Sequence, residues 1–360
     1  MLTEDPAIPH PELGIEVPLA ELGHRLKLLW QSSEAKTKAS LMNFAVYSET
    51  PGSLADNSNM IPGVLREHAC RALLIEADPT VTEVSVRAWI TAHCQLTAGG
   101  RKAVCSEQLA FLISGQSLNL VPNTVFSWLE SDLPLTFWWQ GEFSARWEPH
   151  LYAVIDRLVI DSGSWPDPLP QLEQLEQAWL HDHGRFTVND LSWTRVLHLR
   201  AAISAAFDET GTHEHLASLE EIRIEYGTGH KLAGRMLAAW IIHQTGWKLE
   251  PTGVAPEERI LTENGRRIRL TFRSTESTRA VPGLELTGPR GSIVLTHESS
   301  SAYIQTRITL DNGIAVERLT PCPCGTPAEL VTERLRRGCN TPRYFALLGI
   351  VRALFSNPGG

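Results

Sequence analysis

Apolar positions along the chain recur at two different spacings, and the change from one to the other divides the molecule. Leu19, Leu22, Leu26 and Leu29 fall at helical intervals and predict a short first helix. Compact apolar runs at Leu41 to Tyr47, Ala72 to Ala77, Val84 to Leu96, Gln108 to Ser114 and Pro134 to Trp139 predict strands. Pro51 to Pro62 is polar and reads as turn. Ser117 to Leu129 reads as a helix interrupted near Pro122, and Leu151 to Ile160 starts amphipathic and ends strand-like. Strands interleaved with helices predict an α/β layer built on a mainly parallel sheet.

A proline cluster at Pro166, Pro168 and Pro170 punctuates the chain. Helices are predicted at about 171–180 and 190–208, with Asp190 or Ser192 as N-cap of the second. A strand at Ile222 to Tyr226 leads through glycines into a helix at about 230–243. Strict alternation then takes over: Ile268, Leu270 and Phe272 face one way and their arginine neighbours the other, and the pattern repeats to Leu310. Asn264-Gly265 and Asn312-Gly313 are hairpin turns by type. These features predict an antiparallel meander with one wet face, closed by helices at about 325–337 and 342–354. The expected organisation is a flexible leader over 1–18, an N-terminal α/β domain over 19–165, and a C-terminal α+β domain over 166–360.

Bulk properties narrow the function. A formal charge of −9 argues against a nucleic-acid-binding protein, which would present a basic face. The longest apolar runs fall short of the roughly 20 residues that span a bilayer, so no membrane partner is expected. The acidic, proline-spotted start lacks the form of a signal peptide, which points to the cytoplasm. Six cysteines, Cys70, Cys94, Cys105, Cys322, Cys324 and Cys339, are too scattered for a disulfide scaffold and are expected as thiols.

No strong catalytic motif is present, so catalytic residues, cofactor and metal are all expected to be absent. No Gly-x-Gly-x-x-Gly follows the first strand, which removes the usual pyrophosphate cradle. Gly227, Gly229 and Lys231 form the nearest approach to a phosphate loop, between a strand and a helix. They carry the alternative reading of a sugar-phosphate or nucleotide sensor or enzyme, against a plain turn that needs glycine. Cys322-Pro323-Cys324 offers two thiols that could respond to oxidants or bind a soft metal, against unreacted thiols around a proline turn. His181-Asp182-His183 and His213-Glu214-His215 lack a third ligand by spacing and read as exposed loop residues.

Four segments carry a resemblance: Asp132-Leu-Pro-Leu-Thr-Phe-Trp-Trp-Gln-Gly141, Ile155-Asp-Arg-Leu-Val-Ile-Asp-Ser162, Asp190-Leu-Ser-Trp-Thr-Arg195, and Leu232-Ala-Gly-Arg-Met-Leu-Ala-Ala-Trp240. In type and order they resemble the glucose-6-phosphate dehydrogenase assembly protein family, also called OpcA, over about 40–300. The resemblance implies a non-catalytic cytoplasmic protein. Such a protein binds glucose-6-phosphate dehydrogenase, promotes its active oligomer and so tunes NADPH production in the oxidative pentose phosphate pathway. It also implies a link to thiol redox state, which would bring in thioredoxin as a second partner through Cys322 and Cys324. Trp138, Trp139, Arg157, Trp193 and Arg195 lie in these segments and are the candidate partner-binding residues, each weighed against a structural role: core packing for the tryptophans, an ion pair for the arginines.

Overall fold

In the computed structural model, residues 11–31, 36–96, 103–117, 120–208, 211–250, 257–263, 265–311, 313, 315–323, 325–338 and 340–355 are described. The chain forms two compact units. The first comprises Met1–Ile160, Gln174–Asn189 and Val331–Cys339; the second comprises Asp161–Glu173, Asp190–Leu330 and Asn340–Gly360. The chain therefore crosses between units more than once, where the sequence suggested a single crossing near residue 165.

The first unit is organised by a sheet of β1 (Ile15–Val17), β2 (Lys36–Lys38), β3 (Asn43–Ser48), β4 (Arg71–Asp78), β5 (Ser85–Leu96), β6 (Ala103–Ser114), β7 (Leu135–Trp139), β8 (Arg157–Ile160) and β9 (Thr187–Asp190). The spatial order is β1-β5-β6-β4-β3-β7-β8-β9, with β2 beside β6. The pairs β6–β4, β4–β3, β3–β7 and β7–β8 are parallel, and β5 and β1 extend the sheet antiparallel. Successive parallel strands go out from β3 to β4 and β6, then return past β3 to β7 and β8. This is a doubly wound order with its reversal between β3 and β7. The central strands are buried on both faces, so they read as continuous apolar runs.

Three expectations fail here. Residues 1–10 of the expected leader lie outside the described residues, but 11–18 hold a short turn and β1, which pairs with Ile90, Trp89 and Ala88 of β5. Pro51 to Pro62, read as turn, lies largely within a helix, Ser53–Leu65. Its face buries Leu54, Ile61, Val64 and Leu65, and also Asn57 and Ser58, whose hydrogen-bond partners come from distant segments. Cys94 and Cys105, expected as thiols, stand directly opposite each other on β5 and β6 with Cα atoms 4.1 Å apart and form a disulfide. Cys70 and Cys322 are buried thiols, and burial pushes the Cys70 thiol up to about 12.

The second unit carries β10 (Glu221–Gly227), β11 (Lys248–Leu249), β12 (Glu258–Glu263), β13 (Arg266–Thr275), β14 (Gly283–Gly288), β15 (Gly291–Thr296), β16 (Tyr303–Leu310) and β17 (Ala315–Pro321). The order is β11-β12-β13-β10-β14-β15-β16-β17. It departs from a pure meander because β10 enters between β13 and β14 and lies parallel to β13. Its inner face, with Ile222, Leu270, Phe272, Leu286, Ile293 and Ile308, is buried, and helices Leu197–Phe207 and Lys231–Thr245 pack on the sheet. Its outer face is a lattice of cross-strand ion pairs, among them Arg223 with Glu285 (2.8 Å) and Arg307 with Glu317 (2.8 Å).

Peptide mapping without reductant checks the cysteine assignment. The peptides holding Cys94 and Cys105 should elute linked, while Cys70 should resist alkylation until the protein is unfolded.

Candidate functional site

In a doubly wound sheet, ligands bind outside the carboxyl ends of the strands where the order reverses, and phosphates rest on the amides that open the following helix. Here that place lies beyond β3 and β7, at the start of helix Ser53–Leu65. Gly52, with φ of 84°, caps the helix. Its N–H donates to the Glu76 carboxylate at 3.0 Å, and the Leu54 N–H does so at 2.8 Å, with Ser53 Oγ at 3.4 Å. Glu76 stands near the carboxyl end of β4 and is only 9% exposed. The chain's own carboxylate thus holds the amides that a phosphate would need, and its charge suits the helix N-terminus.

The rest of the crevice is also filled. The Asn57 and Gln140 side-chain amides bond reciprocally, at 3.0 and 2.8 Å, across from the helix to the end of β7. Tyr47 and Ser144 hydroxyls both donate to Glu49 at 2.6 Å. The buried Arg146 guanidinium donates to the Gly115 carbonyl at 2.6 Å and to Tyr47 at 3.4 Å. The Trp139 ring lies 4.5 Å from that of Tyr47, tilted by 40°, and joins Phe143 and Trp147 in one aromatic cluster. Truncating such a ring costs about 3–5 kcal/mol.

A second cluster lies in the second unit and gathers residues from two of the quoted segments, 155–162 and 190–195, with Tyr344 from the last helix. Asp190, fully buried, caps helix Leu191–Arg195 by accepting from the Ser192 N–H at 2.9 Å. It also accepts from Ser162 N–H (3.2 Å), Ser162 Oγ (2.6 Å) and Tyr344 OH (2.8 Å). Burial raises its carboxyl above the ordinary range, more than these donors lower it. Arg195 forms two parallel bonds of 2.6 Å to Asp161. Gly163 has no room for a Cβ, which would stand 2.6 Å from Ser192 Oγ. Burial, and then the charge of Arg195, keep the His230 imidazole below its usual value. Ser162 and Asp190 are sealed from solvent, so the cluster acts as a lock between local segments and presents no open nucleophile–base pair.

The remaining candidates sort by placement. Trp138 and Trp139 point to opposite faces of β7 and are both in the core, so neither ring meets a partner from outside. Trp193 is buried as well, with the Arg200 guanidinium 3.2 Å from its ring centroid. Arg195 is committed to Asp161. Arg157 differs: it is exposed at the start of β8. Gly227 has no room for a Cβ, because the Ser277 and Arg279 carbonyl oxygens would lie 2.4 and 2.3 Å away. The Gly227 and His230 amides donate to chain carbonyls, and Lys231 pairs with Glu257 at 2.9 Å. These groups of the loop, with the Thr228 hydroxyl on the Thr275 carbonyl at 3.3 Å, are engaged internally. Cys322 is buried with its sulfur 4.0 Å from His297 Nδ1, and Cys324 lies outside the described residues. His215, expected on an exposed loop, is fully buried near the Leu286 carbonyl. Among the described residues no group of three or more His, Cys, Asp or Glu side chains could hold a metal ion. Sequence reasoning missed Glu76 and Asn57, because neither sits in a motif and their partners are far along the chain.

The buried Asp190 lock is testable. Asp190→Ala strands four donors and should cost about 3–5 kcal/mol in urea unfolding; Tyr344→Phe should cost about 1 kcal/mol. Because the folded carboxyl is raised, its contribution is complete below the unfolded-state value near pH ~4 and declines as pH climbs toward the folded one. Asp190→Asn removes that slope, so its stability relative to the wild type should rise with pH.

Comparison with known proteins matches two continuous stretches of the chain, whereas the two compact units are each discontinuous. Residues 63–177 match the N-terminal domain, and residues 186–348 the C-terminal domain, of the family described as the glucose-6-phosphate dehydrogenase subunit. The chain is 21% identical over 196 residues to the OxPP cycle protein OpcA of Synechocystis sp., covering 53% of this chain and 40% of that protein. It is 23% identical over 191 residues to its namesake in Synechococcus elongatus, covering 51% and 41%. The match thus spans about two fifths of the length of these curated relatives. Among solved structures, an NADPH-dependent oxidoreductase of Desulfitobacterium hafniense aligns with a TM-score of 0.45 and 10% identity, over 87% of this chain and 94% of that one. The Gal80p super-repressor mutant of Saccharomyces cerevisiae aligns at 0.47 and 8%, over 88% and 94%. On the two matched domains, which follow one another across most of its length, the chain belongs to the OpcA family of glucose-6-phosphate dehydrogenase assembly proteins.

Proposed function

We propose that this chain is a non-catalytic subunit that binds glucose-6-phosphate dehydrogenase and favours its active oligomer, raising NADPH production in the pentose phosphate pathway. Family membership supports the association. The observation that carries the non-catalytic part is the seat of Glu76 on the Gly52 and Leu54 amides. A dinucleotide's phosphates would have to displace a buried carboxylate and would meet its charge, at a cost of several kcal/mol. The internal bonds of the Gly227–Lys231 loop argue in the same direction against a phosphate there.

A subunit of this kind acts by linkage. It shifts the dehydrogenase toward whichever form it binds better, by the difference in affinity alone. A coupling of about 1–3 kcal/mol moves populations roughly 5- to 150-fold. Among the described residues no helix is long and apolar enough to cross a membrane. The same reading places the chain in the cytoplasm, beside the enzyme it serves. A thioredoxin contact draws no support from the described thiols, since Cys70 and Cys322 are both buried.

Mixing the purified chain with the dehydrogenase of its host tests the reading. Analytical ultracentrifugation should show a joint species and a larger share of the active oligomer, with a shift of about fivefold or more in the dehydrogenase's substrate response. Unchanged sedimentation and kinetics at micromolar concentrations of both proteins would sink it.

A further inference from the structure

Every polar side chain of the stretch Asp156 to Ser162 has a use inside the chain except one. Asp156 accepts the Leu135 N–H at 2.7 Å. Asp161 pairs with Arg195, and Ser162 donates to Asp190. The Arg157 side chain alone has no hydrogen-bond or ion-pair partner among the described residues, and it is exposed. An arginine held at a fixed position on a strand, with five donors and nothing to receive them, is a binding group in search of an acceptor.

Its surroundings define what fits. Arg157 stands in register with Thr136 at the amino end of the parallel strands, the end opposite the filled crevice. It lines a hollow of about 210 Å³ together with Leu41, His68, Pro134 and Leu335. Leu41 is 75% exposed, a large apolar side chain left in water at the rim. The acid in the wall, Glu67, is paired with Arg336, so the charge of Arg157 is uncompensated there. The volume is below the ~300–1,000 Å³ that small-molecule sites occupy. It suits a single side chain. A cation beside apolar surface, in a hollow of that size, is complementary to a carboxylate at the end of an aliphatic stem. Arginine and an apolar anchor in one pocket is also the composition of an interface hot spot.

We infer that this hollow on the first unit is a docking point for a protein partner, in which Arg157 grips an aspartate or glutamate side chain and Leu41 packs on its stem. Resting on the function proposed for the chain, it assigns that carboxylate to glucose-6-phosphate dehydrogenase. Because Arg157 holds nothing within the chain, replacing it leaves the fold unchanged and removes the grip.

Calorimetric titration of the dehydrogenase with wild type, Arg157→Glu, Arg157→Lys and Leu41→Asp decides the matter, with thermal melting of each variant alongside. Arg157→Glu is expected to melt with the wild type and to bind roughly 30-fold or more weakly, the scale of a hot-spot loss. Arg157→Lys should retain part of the affinity, Leu41→Asp should lose about tenfold, and added salt should narrow the gap between wild type and Arg157→Glu. Equal binding by wild type and Arg157→Glu overturns this assignment while leaving the proposed function intact. Failure of the wild type itself to bind overturns both. Competition by millimolar acetate or phosphate, acting on wild type but not on Arg157→Glu, would show a small-anion site and likewise overturn the docking assignment.

Discussion

A carboxylate occupies the place where this kind of sheet ordinarily receives a phosphate, and much else in the first unit follows from that substitution. Glu76 satisfies amides at the opening of helix Ser53–Leu65 and complements its dipole, so the helix is held against β4 without an outside anion. The amide clamp of Asn57 with Gln140 and the Tyr47–Glu49–Ser144 bonds then close the space over β3 and β7. What elsewhere is an open crevice is here a continuation of the core. The strand order is that of a doubly wound sheet, and side chains of the chain itself occupy its crevice.

A comparable economy governs the second unit. Asp190 ends one strand, caps the next helix and collects donors from the turn at Ser162 and from Tyr344 on the last helix. Several of the segments that most resemble the family are therefore structural: the paired tryptophans are core, and Asp161, Arg195 and Ser162 are held by partners within the chain. Chemistry-bearing residue types were gathered into one place for stability. The neighbourhood of Arg157, proposed above as a docking point, lies on surface that this arrangement leaves exposed.

The fold was legible in the sequence where apolar spacing decides structure. Ile268, Leu270 and Phe272 announced β13, and Leu41 to Tyr47 announced β3, because a buried strand leaves its mark on adjacent residues. It was illegible where long-range partners decide. Asn57 and Ser58 look like turn residues until Gln140 and Gln108 are brought beside them. Cys94 and Cys105 are ordinary neighbours in sequence, and only the pairing of β5 with β6 sets them face to face. The insertion of β10 between β13 and β14 is likewise a tertiary choice that local alternation does not encode. Of the residues the sequence singled out, Trp138, Trp139 and Trp193 are core and Arg195 is paired with Asp161, while Arg157 is exposed; which of them would be engaged depends on partners distant in sequence.

The claim on which this account depends is that the first unit's crevice is closed by its own side chains. Calorimetric titration of the isolated wild-type chain with NADP+, NADPH, NAD+ and NADH measures this directly. No saturable heat is expected up to millimolar nucleotide. Binding in the micromolar range by the wild type, lost when Gly52 or Leu54 at the helix opening is altered, would contradict it.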